Sequence, residues 1–331
     1  MVRPGMLRRR GAQAAAVLAL GAAVVLAIAA VVSARAAPQA HPAAPPAGPL
    51  RASRAPAGPV DVSLAASHVS PAATPVSMAV HGTLAAGTGA ASLKEGGAYL
   101  WSTATGKVTA ILPDPAPSAG IGPVAFSPDG TTLAEGGANG TISLWDITAG
   151  KVTATLATPA SASALAFSPD GKDLAEDTGG RLGPAYVWDI AARKITATFT
   201  DVNNPYGLTS VAFAPDGTTV AIGEATGAIV LWDTRTGKVT AGPSDPESES
   251  GTWVGAIAFG PGGTMAAGYN GGKTYLWDAA GTLTATFTDP AVHRGGFTVY
   301  GLVLALWFSP GGTTLTIGDG AGRTYLWRIT R

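Results

Sequence analysis

The amino-acid sequence predicts an all-β protein, a six-bladed propeller, and three observations carry that prediction. First, a short strand ending in tryptophan occurs six times, at Trp101, Trp145, Trp188, Trp232, Trp277 and Trp327, with gaps of 44, 43, 44, 45 and 50 residues. A fixed period of this size marks a repeat architecture, in which no single unit can bury its own apolar face. Second, five of the tryptophans are preceded by an apolar strand and a turn of one pattern: Ser127-Pro128-Asp129-Gly130, Ser168-Pro169-Asp170-Gly171, Ala214-Pro215-Asp216-Gly217, Gly260-Pro261-Gly262-Gly263 and Ser309-Pro310-Gly311-Gly312. Third, a second turn follows the tryptophan, as Thr105-Gly106-Lys107, Ala149-Gly150-Lys151, Arg193-Lys194 and Thr236-Gly237-Lys238.

The elements follow in order from the amino terminus. Residues 1–11 form a basic tip containing Arg8-Arg9-Arg10. Within 12–34, the 19 residues from Ala14 to Val32 carry no charged or strongly polar side chain, enough to span a bilayer core as a helix. The arginines ahead of this stretch place the tip in the cytoplasm and the rest outside, by the positive-inside rule. A cleaved signal peptide is the alternative, because Ala34-Arg35-Ala36 resembles a small-x-small cleavage site. Residues 35–58 are almost entirely Ala, Pro, Gly, His and Arg, too poor in apolar bulk to fold, and read as an extended stalk.

The propeller is expected over 59–331, with blades at about 76–113, 121–158, 163–200, 208–242, 253–288 and 300–331. In residues 121–158, Val124-Ala125-Phe126 is the first strand, and Pro128, Asp129 and Gly130 supply the turn chemistry after it. A second strand starts at Thr132-Leu133-Ala134, Asn139-Gly140 is a hairpin turn, and Ile142 to Asp146 is the third strand. Val152-Thr153-Ala154-Thr155-Leu156 alternates as the fourth. The sixth blade has no fourth strand of its own. Val60-Asp61-Val62-Ser63-Leu64 alternates in the same way, so a strand at 59–65 is expected to complete that blade and leave no open sheet edge. The first blade is irregular, with Met78-Ala79-Val80-His81-Gly82 in place of the usual strand and turn. Trp307 stands where the other blades have Ala125, Ala166, Ala212 and Ala258, and is expected to fill space left by that thin blade.

Val-Ala-Phe-Ser-Pro-Asp-Gly and Leu-Trp-Asp at this spacing resemble the WD40 repeat family, over about residues 76–331. The Trp-Asp pairs are Trp145-Asp146, Trp188-Asp189, Trp232-Asp233 and Trp277-Asp278. Each aspartate is expected to bond backbone amides in the turn that follows; Ser102 can do so more weakly and Arg328 cannot. The family often completes a hydrogen-bonded tetrad with a histidine before the first strand and an aspartate in the second hairpin. No repeat here has that histidine, so the blades are expected to rely on apolar packing and turn chemistry.

Composition narrows the function. The chain has 21 basic and 21 acidic residues, but seven arginines and no acid precede residue 59, so the remainder has 14 against 21, a net of −7. An acidic globular part argues against a nucleic-acid partner. There is no cysteine, and His41, His68, His81 and His293 have no metal-ligand spacing. No nucleophile elbow and no phosphate-cradling loop is present. These features predict no catalytic residue, no metal and no cofactor. In propellers of the resembled family, the links between blades and the second hairpins form the face that commonly binds partners. The candidate interaction residues there are Asn203, Tyr206, Glu247, Trp253, His293, Arg294, Phe297 and Tyr300. The expectation is a monomeric scaffold or sensor propeller for an unknown protein partner, held outside a bacterial membrane by its own helix. A lectin-like or small-ligand propeller is the alternative, followed by a propeller hydrolase or lactonase.

Overall fold

The computed structural model describes residues 61–69, 77–88, 97–113, 122–137, 139–247, 251–290, 292–294, 297–299 and 301–330. The expected tip, membrane anchor and stalk lie outside these residues. No helix among the described residues is long and apolar enough to cross a membrane.

Six four-stranded antiparallel sheets and one two-stranded hairpin make up the described fold. Blade 1 comprises Ser77–His81, Leu84–Thr88, Gly97–Ser102 and Val108–Pro113. Blade 2 comprises Val124–Phe126, Thr132–Gly137, Thr141–Asp146 and Lys151–Ala157. Ala164–Phe167, Asp173–Asp177, Ala185–Asp189 and Lys194–Phe199 form blade 3, and Leu208–Phe213, Thr219–Glu224, Ile229–Asp233 and Val239–Ala241 form blade 4. Val254–Phe259, Met265–Tyr269, Lys273–Trp277 and Leu283–Thr288 form blade 5. Blade 6 takes Val303–Phe308, Thr314–Asp319 and Arg323–Thr330 from the carboxy-terminal side, and its outer strand is Asp61–Val69. That strand pairs from Asp61 opposite Thr330 to Val69 opposite Arg323. It runs further than the 59–65 expected from alternation, past a register shift between Leu64 and Ala66.

The inner strands touch in a closed cycle, with Val303–Phe308 of blade 6 against Ser77–His81 of blade 1. Each of six apolar clusters lies between two adjacent blades. Every tryptophan strand contributes to the cluster shared with the preceding blade: Trp145 packs with Leu100 and Leu112, Trp188 with Leu144 and Leu156, and Trp232 with Val187 and Phe199. Trp101 and Trp277 do the same at their seams. Trp327 is only partly buried, and among the described residues its indole N–H has no hydrogen-bond partner. The repeat period therefore places one large ring at every seam, where burial of apolar area is the main favourable term.

Close approach of neighbouring blades requires glycine in the second strands of blades 5 and 6. A Cβ at Gly268 would sit 2.2 Å from Val303 Cγ1, and one at Gly318 would sit 2.2 Å from Met78 Sδ.

The aspartates after tryptophan cap their turns. Asp146 Oδ1 accepts from Ala149 N at 2.8 Å, Asp189 from Ala192 N at 2.7 Å, Asp233 from Thr236 N at 2.9 Å and Asp278 from Thr282 N at 2.9 Å. Ser102 Oγ accepts from Thr105 N at 3.3 Å, a longer bond. The third-to-fourth strand pairing carries a register shift at the tryptophan in blades 1, 2, 3 and 5. Thr153, Thr196 and Thr284 donate their hydroxyls to Leu144, Val187 and Leu276 carbonyls there, at 3.0–3.1 Å.

One expectation is corrected. Blades 2 and 3 do not rest on apolar packing and turns alone. Trp145 Nε1 donates to Glu135 Oε2 at 3.0 Å, and Trp188 Nε1 donates to Glu176 Oε2 at 2.7 Å. Glu135 and Glu176 are both buried, on the second strand beside the tryptophan strand. A carboxylate thus stands where a histidine-based network was expected to be missing.

Trp307 lies half-buried against the blade 6–blade 1 cluster, its ring 5.9 Å from that of His81 in an edge-on arrangement. His81 in turn covers Gly130 of blade 2, where a Cβ would meet the imidazole at 2.7 Å. At other seams a proline fills this place, as Pro261 does against Gly312.

Candidate functional site

Antiparallel order within each blade sends the inter-blade links and the second hairpins to one face. The first and third hairpins go to the other. The links are tied down by side chains that reach into the next blade. At the seam of blades 2 and 3, Thr158 Oγ1 donates to Glu176 Oε1 at 2.5 Å and Ser163 Oγ donates to Asp177 Oδ2 at 2.6 Å. At the seam of blades 3 and 4, Asp201 faces Glu224. Burial, with Asp201 adding to it, pushes the Glu224 carboxyl up to about 7. At the next seam, Asp245 Oδ1 accepts from Glu247 N at 2.9 Å and Asp245 Oδ2 accepts from Thr252 Oγ1 at 3.2 Å. Burial, then the Asp245 charge, raises the Tyr269 and Tyr275 hydroxyls. At the last of these seams Asp289 faces Asp319, whose Oδ2 accepts from Arg323 Nε at 2.7 Å.

Asp289 is 1 % exposed, and among the described residues neither carboxylate oxygen has a hydrogen-bond partner. Burial, then the Asp319 charge, pushes its pKa up to about 8, against the pull of Arg323. A raised carboxyl pKa in the folded chain means that the unfolded chain releases its proton first, from about pH 4. Stability from this group therefore falls as pH rises from about 4 to 8 and levels off above that. Asp289→Asn is expected to stabilise the protein at pH 9, by on the order of 2 kcal/mol, with less difference at pH 5. Thermal melts of both proteins across this range check it; parallel curves would refute it.

Of the sequence-derived candidates, Asn203, Tyr206, Glu247 and Trp253 lie on this face, spread over two seams. Asn203 and Tyr206 are exposed on the link between blades 3 and 4. Glu247, exposed, pairs with Lys273 at the next seam. Trp253 is partly buried there, its backbone N–H donating to Asn270 Oδ1 at 3.2 Å. His293, Arg294 and Phe297 belong to a hairpin, Val292–Arg294 paired with Phe297–Val299, within the link between blades 5 and 6. Their side chains, and Tyr300, lie outside what is described. Leu182 and Val202, both strongly exposed on this face, were not singled out. Nothing in a loop sequence tells a buried leucine from a bare one.

Along the axis lies a cavity of about 620 Å³ lined by the inner strands. Five phenylalanines, Phe126, Phe167, Phe213, Phe259 and Phe308, reach it, and no Asp or Glu is among its lining residues. Each of these rings also packs into a seam cluster. Among the described residues, no three His, Cys, Asp or Glu side chains gather as a metal site.

The family model of the WD domain, G-beta repeat, matches residues 124–146 and 194–233. The first segment spans the first three strands of blade 2. The second runs from the outer strand of blade 3 to the third strand of blade 4. Among solved structures, "Crystal Structure of Mitotic Checkpoint Complex" contains a chain similar to this one at 18 % identity and a TM-score of 0.57. The match covers 90 % of this chain and 100 % of that one, a likeness of fold. No curated protein matches the chain.

Proposed function

We propose that this chain, a six-bladed β-propeller with WD40 repeats, is a non-catalytic scaffold or sensor that binds a protein partner. The face of links and second hairpins makes the contact, and the propeller is displayed outside a bacterial cytoplasmic membrane. The single observation that carries the reading is the make-up of that face. Its links are pinned by buried carboxylates and hydroxyls, so exposed side chains such as Asn203 and Tyr206 are presented on a rigid frame. Preorganised loops lose little entropy on binding. The excess of acid in residues 59–331 collects here too, with Asp177, Asp201, Glu224, Asp245, Glu247, Asp289 and Asp319 against Arg181, Lys273, Arg294 and Arg323. The apolar stretch Ala14–Val32 behind an arginine run supports the membrane placement.

A photo-crosslinking residue placed in the full chain at Asn203 or Pro246 is expected to capture a protein in cells. The same residue at Thr155 or Thr198, on outer strands, is expected to capture none. Equal capture at all four positions would overturn the choice of face. Capture at none of them, together with a strong glycan-array signal, would favour the ligand-binding alternative.

A further inference from the structure

We infer that the seam of blades 3 and 4 is a docking patch for a partner segment carrying a large aliphatic side chain beside a lysine or arginine. This rests on the reading of that face as the protein-binding one and adds where on it the partner sits and what chemistry it brings. Three large apolar side chains stand in solvent here: Val202 at 74 % exposure, Tyr206 at 52 % and Leu182 at 50 %. Val202 and Tyr206 belong to the link into blade 4, and Leu182 to the second hairpin of blade 3. The two segments share an edge, because a Cβ at Gly207 would sit 2.1 Å from Gly180 O. Isolated exposed apolar residues need no explanation, but a group on one seam marks an interaction surface.

The patch is built, not loose. Buried Asn204 accepts from Tyr206 N at 3.0 Å and Gly207 N at 3.3 Å and donates to Gly207 O at 3.1 Å. Asp201 Oδ1 accepts from Asn203 N at 2.8 Å. These bonds turn the backbone so that Val202 and Tyr206 point outward. Leu182 holds a φ of 59°, a conformation costly for a residue with a Cβ. Strain of this kind persists only where the surroundings fix it.

Charge decides the occupant. Asp201 and Glu224 flank the link on the blade 4 side, and the Asp201 charge adds to the burial that holds the Glu224 carboxyl at about 7. A cation arriving there would offset that charge and release the Glu224 proton. Arg181 stands exposed beside Leu182, with no ion pair among the described residues, and closes the other side to a second cation. An aliphatic anchor between Leu182, Val202 and Tyr206, with one basic group toward Asp201, satisfies all of these groups. Aromatic and aliphatic anchors at the centre of a patch carry most of the binding energy.

The probe is a synthetic hexapeptide alternating lysine and leucine, titrated calorimetrically into the full chain near pH 7. Controls are the glutamate–leucine and lysine–serine hexapeptides. Saturable binding is expected for the first only, with proton release seen as a dependence of heat on buffer. Leu182→Ser and Tyr206→Ser are each expected to weaken it about tenfold, and Asp201→Asn about threefold. Arg181→Glu should tighten it. All four sites are at least partly exposed, so unchanged melting curves are expected to show that folding is intact. Binding indifferent to these substitutions would overturn the patch, as would a dimer of the chain that Leu182→Ser disperses. Cross-linking at Pro246 but not at Asn203 would sink this patch while leaving the proposed function standing.

Discussion

A chain that begins at Ser77, lacking Asp61–Val69, is expected to lose its cooperative thermal transition or to melt at least about 10 °C lower than the full chain. It should also elute as soluble oligomers. The lost strand supplies eight paired positions along Arg323–Thr330. At a net ~0.5–1.5 kcal/mol for each backbone hydrogen bond, the ladder is worth several kcal/mol. That is a large part of the 5–15 kcal/mol typical of a folded domain. Two effects compound the loss. Blade 6 would be left with three strands, and Arg323–Thr330 would become a long open edge that can pair with another copy. The closing strand also ties residues separated by about 260 positions, so its removal leaves blades 1 and 6 joined by side-chain packing across their seam rather than by a strand ladder. A chain that begins at Val60 controls for loss of the preceding residues and is expected to melt as the full chain does. A monomeric Ser77 chain with an unchanged melting temperature would show that closure is not needed. Added Asp61–Val69 peptide should restore part of the transition.

The features of this fold that are legible in the sequence are the local ones. Turn chemistry at Pro128-Asp129-Gly130 and its equivalents depends on three adjacent residues, and the tryptophan period depends on spacing alone. The bonds from Asp146, Asp189, Asp233 and Asp278 lie within four residues, so their role follows from position. The hairpin Val292–Arg294 with Phe297–Val299 carries its own signal in Gly295-Gly296, a dipeptide that favours hairpin turns. The seam carboxylates are harder to read. Asp289 and Asp319 are brought together by two segments 30 residues apart, and either alone looks like an exposed loop acid. Exposure in the candidate site is likewise a product of packing. Trp253 and Tyr206 look alike as aromatics in links, yet Asn270 holds the backbone of the first against its blade while Asn204 holds that of the second with its ring outward.

Glu176→Ala is expected to destabilise the protein by about 3 kcal/mol, while Glu176→Gln is expected to cost less than about 1 kcal/mol. The Glu176 side chain has no solvent exposure and joins two blades. Its Oε2 accepts from the indole of Trp188 in its own blade, and its Oε1 from Thr158 on the link out of blade 2. Removing the carboxylate leaves a buried N–H and a part-buried hydroxyl without partners, at roughly 1–3 kcal/mol for each fully buried donor, and opens a cavity besides. Glutamine keeps an acceptor for the indole, and its amide can donate to the Thr158 hydroxyl, so shape and bonding both survive. It also removes a group whose pKa is raised by burial, so some desolvation cost is relieved. Blade 4 supplies the internal comparison. Ile222 stands there at the position of Glu176, opposite Val230 as Glu176 is opposite Tyr186. The Trp232 blade is therefore sealed by apolar packing where the Trp188 blade is sealed by a carboxylate. Glu176→Ile should fill the space but not accept from the indole, placing it between alanine and glutamine. Chemical denaturation of the three variants checks that order. If alanine matched the wild type, the buried carboxylate would contribute nothing net to the seam, and apolar packing alone would hold the blades after all.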